Sequence, residues 1–300
     1  MISQSKGYHP ELGRALEHLI SSGGKRIRPA VALLTGCMLG AGIDQLVTLG
    51  AAIELLHTAT LVHDDLIDGA LMRRGIATLN AQWSPAATVL TGDFIFAQAA
   101  KVASEIKSEM VTYLFAQTLV TIVNGEITQL FSSRGSVNRN DYYVRIHAKT
   151  ASMFELATTA AAHLSPVDEH IVANMKSFGY DIGMAFQIVD DILDFAGEQV
   201  EVGKPVASDL RQGLITLPAL YYFEKNGSDT KINSFLQEKM NTFEFDELIN
   251  SIRESGAIDL AMEEACRYVD HGLEILALQP DCPERQALID LSEYIVRRNY

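Results

Sequence analysis

The sequence predicts an all-α fold, an orthogonal helical bundle, and three observations carry that expectation. Apolar residues recur at three- and four-residue steps nearly everywhere, as in ELGRALEHLI (11–20), VTYLFAQTLVTIV (111–123) and IDLAMEEACRYVDHGLEIL (258–276). That is the spacing of one helical face. Ala, Leu, Glu and Met, all good helix formers, dominate these stretches. The alternating, turn-punctuated pattern of a sheet protein is missing.

Taken in order, the helices are bounded by stretches rich in Gly, Pro, Asn or Asp. The first ends at SSGGKRIRP (21–29). The uncharged segment Ala30 to Ile43 follows, too short and too glycine-rich to span a bilayer, and it fits a buried core helix up to AGID (41–44). Later breaks fall at SSRGSVNRND (132–141), LSPVDEH (164–170), GEQVEVGKP (197–205), EKNGSD (224–229) and LQPDCPE (278–284). About ten helices follow from the segments between breaks. No linker or low-complexity tract interrupts them. The 300 residues, 48% hydrophobic, therefore read as one domain over 1–300, although length alone would permit two.

The formal net charge of −14 argues against a nucleic-acid partner, which needs basic side chains to displace phosphate counterions. It suits a protein that holds cations, or simply a soluble cytoplasmic one. Cys37, Cys266 and Cys282 form no CxxC pair and leave an odd count. No disulfide framework or thiolate zinc site is expected, and the reading is a reducing, cytoplasmic location. MISQSKGYHPEL has no apolar core and does not read as a signal peptide.

The stretch HTATLVHDDLIDGALMRRG (57–75) sets three carboxylates directly after an apolar run. On a helix Asp64 and Asp68 share a face, with Asp65 beside them. The spacing recurs in FQIVDDILDF as Asp190, Asp191 and Asp194. A single DDxxD is read as a solvated acidic turn. Two copies, each flanked by large aliphatic residues that need burial, favour a ligand instead. Clustered oxygen ligands suit hard divalent ions, and Mg²⁺ takes one or two carboxylates and fills its shell with water and phosphate oxygens. Neither motif holds His or Cys at zinc spacing. Magnesium ions clamping a diphosphate between two facing helices are the expectation.

Cations gather near these motifs: Lys25, Arg26 and Arg28, Arg73 and Arg74, Lys149 beside Thr150, and Lys204 with Arg211. Each alone reads as a solvated surface charge, except Arg73 and Arg74 just past the first motif. Together they point to a second anionic ligand bound without metal.

The chain closely resembles the trans-isoprenyl diphosphate synthases, or polyprenyl synthetases. The resemblance runs in the family's order through GGKRIRP, LVHDDLIDGALMRRG, GDFIFAQA, KTASMFELA, FQIVDDILDF and GKPVASDL…TLP. It implies an isoprenoid-synthase bundle around a central cavity and a Mg²⁺-dependent head-to-tail (1′–4) condensation, with three ions per active site. Isopentenyl diphosphate would be held by Lys25, Arg28, His57 and Arg74. The allylic diphosphate would sit on Mg²⁺ carried by Asp64, Asp68 and Asp190, with Arg73, Lys149 and Lys204 on its oxygens. Asp65, Asp191 and Asp194 would support that cluster, and Thr150 and Gln187 would offer dipoles to an allylic carbocation.

A lone His in an apolar helix is more often core, but His57 lies two turns before Asp64 on the same face, and the family motif matches it. Phe94, Phe96, Met153, Met184 and Phe186 read as core before tunnel lining. Product length is expected to be gauged upstream of Asp64 by Leu56, Ala59 and Thr60, where short-chain members carry bulky aromatics at the last two. Each isoprene unit adds about 5 Å, or about three residues of helix rise. These small side chains predict products beyond C20; C15 or C20 synthesis is the alternative.

Two departures stand out: Leu214 replaces a common Lys, and GGKRIRP arrives after only 22 residues. A missing or contracted first helix is therefore expected. The resemblance also implies a homodimer. No stable membrane anchor is expected, though a lipophilic product allows transient membrane contact. A terpene cyclase, a head-to-head synthase and a non-catalytic subunit of a heteromeric synthase are the rivals. The six aspartates and the Lys25/Arg28 pair weigh against all three.

Overall fold

The computed structural model describes residues 9–21, 23–73, 75–131, 137–196, 206–237 and 239–298. They are helical almost throughout. The helices are α1 (Pro10–Ser21), α2 (Ile27–Leu39), α3 (Ile43–Ile67), α4 (Leu79–Gln82), α5 (Pro85–Glu105), α6 (Glu109–Phe131) and α7 (Arg139–Ile146). A π-helical stretch, His147–Ala151, leads into α8 (Ser152–His163) and α9 (Glu169–Ala196). After them come α10 (Ser208–Arg211), α11 (Leu217–Lys225), α12 (Thr230–Leu236), α13 (Thr242–Glu254), α14 (Ala257–Ala277) and α15 (Pro283–Arg297). Ten of these α-helices run twelve residues or more, and the others are short pieces that apolar periodicity does not reveal. Among the described residues the only strands are β1 (Met72–Arg73) and β2 (Ile76–Ala77), an antiparallel pair. A first helix is present.

Local chemistry explains several helix starts. Ser84 accepts from the Ala87 N–H and Pro85 follows at the first helical position of α5. Asn241 and Glu244 form a capping box at α13. The segment expected as a core helix over 30–43 instead stops at Gly40, whose left-handed φ of 85° ends α2. Ile43 already belongs to α3.

The chain divides into two compact units. The first draws on Met1–Thr118, Leu156–Ala173 and Cys282–Glu284, and the second on Leu119–Glu155, Asn174–Asp281 and Arg285–Tyr300. In the first, α3 packs against α2 and α5 and is buried on nearly every side, through Leu46, Leu49, Ala52, Ile53, Leu55, Leu56, Ala59 and Val62. It is long and apolar enough to cross a membrane, but 61% of its apolar window is buried inside the protein, as in a core helix. In the second unit the corresponding core helix is α9, with Phe178, Ile182, Ala185, Ile188, Val189, Ile192 and Phe195 fully buried. Each unit thus brings one buried helix to its acidic motif.

Candidate active site

Both motifs occupy the C-terminal end of their helix. Asp64 and Asp65 lie in the last turn of α3, and Asp68 caps it, its N–H donating to the Asp64 carbonyl at 2.8 Å. Asp190, Asp191 and Asp194 fall in the last two turns of α9. A helix C-terminus carries partial negative charge. Carboxylates stacked there raise a local demand for cations, which each unit meets in part from its own chain.

In the first unit, Asp65 is buried and accepts from Arg73 Nε at 2.7 Å. The β1–β2 hairpin brings Arg73 back over α3, since Met72 pairs with Ala77 and Arg73 with Ile76. Asp64 stays half-buried and Asp68 exposed. A solvent-open pocket lies alongside, lined among others by His18, Arg26, Glu54, His57, Asp65 and Arg73. Arg28, at the start of α2, places Nη1 3.3 Å from His57 Nε2. Lys25 is exposed in the preceding loop. Two lining residues, Glu54 and His18, lay outside the expected set. Arg26 is ion-paired with the largely buried Glu54, and His18 reaches the Ala77 carbonyl at 3.0 Å. Glu54 had a signal, being a lone charge inside an apolar run; His18 had none. Arg74 lies outside the described residues.

In the second unit, the π-helical turn carries Lys149 and Thr150. Such turns widen a helix locally and cost stability unless neighbours hold them. Here two glycines do: a Cβ on Gly125 of α6 would sit 2.5 Å from Ala148 Cβ, and one on Gly183 of α9 would sit 2.5 Å from Ala151 Cα. This close approach lets the Thr150 hydroxyl donate to Gln187 Oε1 at 2.5 Å. Lys149 pairs with Glu126 at 3.5 Å.

The three aspartates of α9 differ in environment. Asp191 is fully enclosed and accepts from Gln187 Nε2 at 2.7 Å and from the Tyr142 hydroxyl at 2.8 Å. Burial, with Asp209 nearby, pushes its carboxyl up to about 7 against those hydrogen bonds. Asp194 accepts from the Ser208 hydroxyl at 2.8 Å and the Asp209 N–H at 3.1 Å, tying α10 to the end of α9. Asp190 is the more exposed one, and Arg298 donates to it at 2.9 Å while lying over the Phe186 ring. Arg298 escaped the sequence reading; its only signal was a basic pair at the end of α15.

The donor chemistry fits magnesium. Within the first unit Asp64 and Asp68 offer carboxylate oxygens one turn apart, and within the second Asp190 offers one near the end of α9. Among the described residues no three His, Cys, Asp or Glu side chains close on one another as a protein-only cage. Magnesium is commonly held by one or two carboxylates and completed by water and phosphate oxygens.

Other expected positions are placed as follows. Leu56 and Ala59 have no exposed surface and Thr60 very little, and the Thr60 hydroxyl donates to the His57 carbonyl. Met153 and Met184 are core. Phe186 packs on Phe154, with ring centroids 5.4 Å apart. Phe94 and Phe96 are half-buried, and Phe96 lies 5.3 Å from the His63 ring. Leu214 is half-buried, its N–H donating to the Asp209 carbonyl. Arg211 pairs with Asp246 and lies over Phe245. Lys204 lies outside the described residues.

An all-α chain with a DDxxD at the end of each of two core helices, and basic side chains nearby, has the features of a diphosphate-handling prenyltransferase. Residues 9–252 match the polyprenyl synthetase family, and the chain belongs to it. It is 36% identical over 293 residues to heptaprenyl diphosphate synthase component 2 of Geobacillus stearothermophilus, covering 96% of this chain and 90% of that one. It is 30% identical over 296 residues to a geranylgeranyl diphosphate synthase of Methanosarcina mazei, covering 97% and 90%. Its fold is similar to the crystal structure of heptaprenyl diphosphate synthase from Staphylococcus aureus, with a TM-score of 0.93 at 35% identity and coverage of 100% and 95%.

Proposed function

We propose that this prenyltransferase condenses isopentenyl diphosphate head-to-tail with an allylic diphosphate, giving all-trans polyprenyl diphosphates longer than C20. The observation that carries this reading is the DDxxD at the C-terminal end of each core helix, α3 and α9. The higher identity to synthases named heptaprenyl than to the one named geranylgeranyl supports the longer product.

Asp64, Asp68 and Asp190 would hold magnesium for the allylic diphosphate, three ions per site being the family expectation. Bound magnesium supplies neutralisation of the charge that builds on the departing diphosphate. Asp65 with Arg73, Asp191 with Tyr142 and Gln187, and Asp194 with Ser208 keep each helix end in shape. Arg73, Lys149 and Lys204 add positive charge for the diphosphate oxygens. Lys25, Arg28, His57 and Arg74 bind isopentenyl diphosphate. The allylic C–O bond breaks and the diphosphate leaves with the electron pair. The isopentenyl double bond attacks the resulting cation, and a proton is lost to the released diphosphate. Gln187 and Thr150 turn oxygen dipoles toward the cation. Closure excludes water, which would otherwise trap the cation as an alcohol.

The working form is a homodimer in the cytoplasm, with transient membrane contact for the lipophilic product. Supporting the dimer, Val120, Val123, Ile127 and Leu130 form an exposed apolar stripe on α6 at three- and four-residue steps. A second reading, favoured by the name component 2 of one relative, makes the chain one part of a two-component synthase. The test incubates the chain alone with farnesyl diphosphate and Mg²⁺, with and without isopentenyl diphosphate. Diphosphate release that requires isopentenyl diphosphate and yields chains beyond C20 is expected. Release without it makes the chain a cyclase, no release supports the two-component reading, and a dominant C15 or C20 product refutes the length.

A further inference from the structure

Four residues of the second unit form an unbroken hydrogen-bond chain. The Tyr142 hydroxyl donates to Asp191 Oδ2, Gln187 Nε2 donates to Asp191 Oδ1, and the Thr150 hydroxyl donates to Gln187 Oε1. Tyr142 is 1% exposed, Asp191 3% and Thr150 4%, so solvent does not compete for these bonds. The direction of the chain follows from its bonds. Asp191 accepts at both oxygens, so Gln187 turns its amide nitrogen toward Asp191 and its amide oxygen toward Thr150. Thr150 has one proton and uses it on that oxygen. What remains at the open end is Thr150 Oγ1 with lone pairs alone, an electron-rich end.

We propose that Tyr142 is a positioning residue: it holds Asp191 so that the carboxylate orients the Gln187 amide, and the chain thereby offers acceptor oxygens to the allylic cation. This rests on the function proposed above. Without the Tyr142 hydroxyl, the Asp191 carboxyl is held from one side only and can turn out of line with the Gln187 amide. The amide is then free to rotate, and a rotated amide turns N–H toward Thr150. The Thr150 proton is released to point outward, where it opposes a cation. Substrate and metal binding depend on other groups, so the loss falls on the chemical step.

The test is a double-mutant cycle of wild type, Tyr142→Phe, Gln187→Leu and the double variant, measuring kcat, both KM values, the Mg²⁺ response and thermal melting. Tyr142→Phe is expected to lower kcat roughly tenfold or more while leaving KM and the Mg²⁺ response in place. In the Gln187→Leu background the same change adds nothing, because the residue it acts through is gone. A Tyr142→Phe enzyme with wild-type kcat, or one losing the same factor in both backgrounds, overturns the proposal. If Tyr142→Phe fails to fold, Asp191→Asn takes its place: the amide has one acceptor oxygen instead of two, so Tyr142 or Gln187 loses the acceptor it donates to, either loss breaks the chain, and kcat falls without additivity to Gln187→Leu. Retained kcat in Asp191→Asn overturns the proposal equally. An additive cycle in an active enzyme removes only the role of Tyr142, whereas absence of wild-type turnover removes the proposed function as well.

Discussion

An alanine at Gly183 would set its Cβ 2.5 Å from the Cα of Ala151, a backbone atom that cannot swing aside as a side-chain tip can. Either α9 or the π-helical turn must move. Gly183→Ala is therefore expected to destabilise the protein by about 1–3 kcal/mol, as overpacking does in cores. It should also lower kcat, because Thr150 drifts from Gln187. Thermal melting and steady-state kinetics check both, and a variant matching wild type in each shows that the turn is held otherwise. The pair of glycines was not legible in the sequence, since a helical glycine reveals its purpose only when the opposing backbone is known. Arg298 is similar, its partner Asp190 lying 108 residues away along the chain.

At the level of elements, both motif helices end where their carboxylates accumulate, so dipole and side chains press the same way on the helix terminus. Periodicity made the long helices readable, and the repeated DDxxD made the acidic ends readable. The π-helical turn and the β1–β2 hairpin were not, because a few residues carry no period and their geometry is imposed by packing. The gauge on α3 yields a prediction of its own. Ala59 faces packed protein with no exposed surface, so a growing chain beside it must displace neighbours. Ala59→Phe makes that displacement harder, and product sizing should show a shift to shorter chains. An unchanged distribution in a folded variant would move the gauge to another helix.

For the whole molecule, packing into two compact units is a long-range property that leaves no trace in local composition when no linker marks a boundary. The exposed apolar stripe on α6 was hidden for a related reason. Its residues read as ordinary helix-facing positions until burial showed them uncovered. Light scattering of the isolated chain at micromolar concentration is expected to give a dimer, and Ile127→Asp a monomer. A wild-type monomer that gains activity only with a second polypeptide would establish the two-component arrangement.

Whether the two carboxylate-bearing helix ends work through magnesium is open to one experiment. Condensation of farnesyl and isopentenyl diphosphates is followed against Mg²⁺ concentration for wild type, Asp64→Asn and Asp190→Asn. The predicted result is no turnover without Mg²⁺ and a loss on the order of a hundredfold in kcat/KM for each variant, partly recovered at high Mg²⁺. Wild-type turnover and an unaltered Mg²⁺ response in both variants would contradict it.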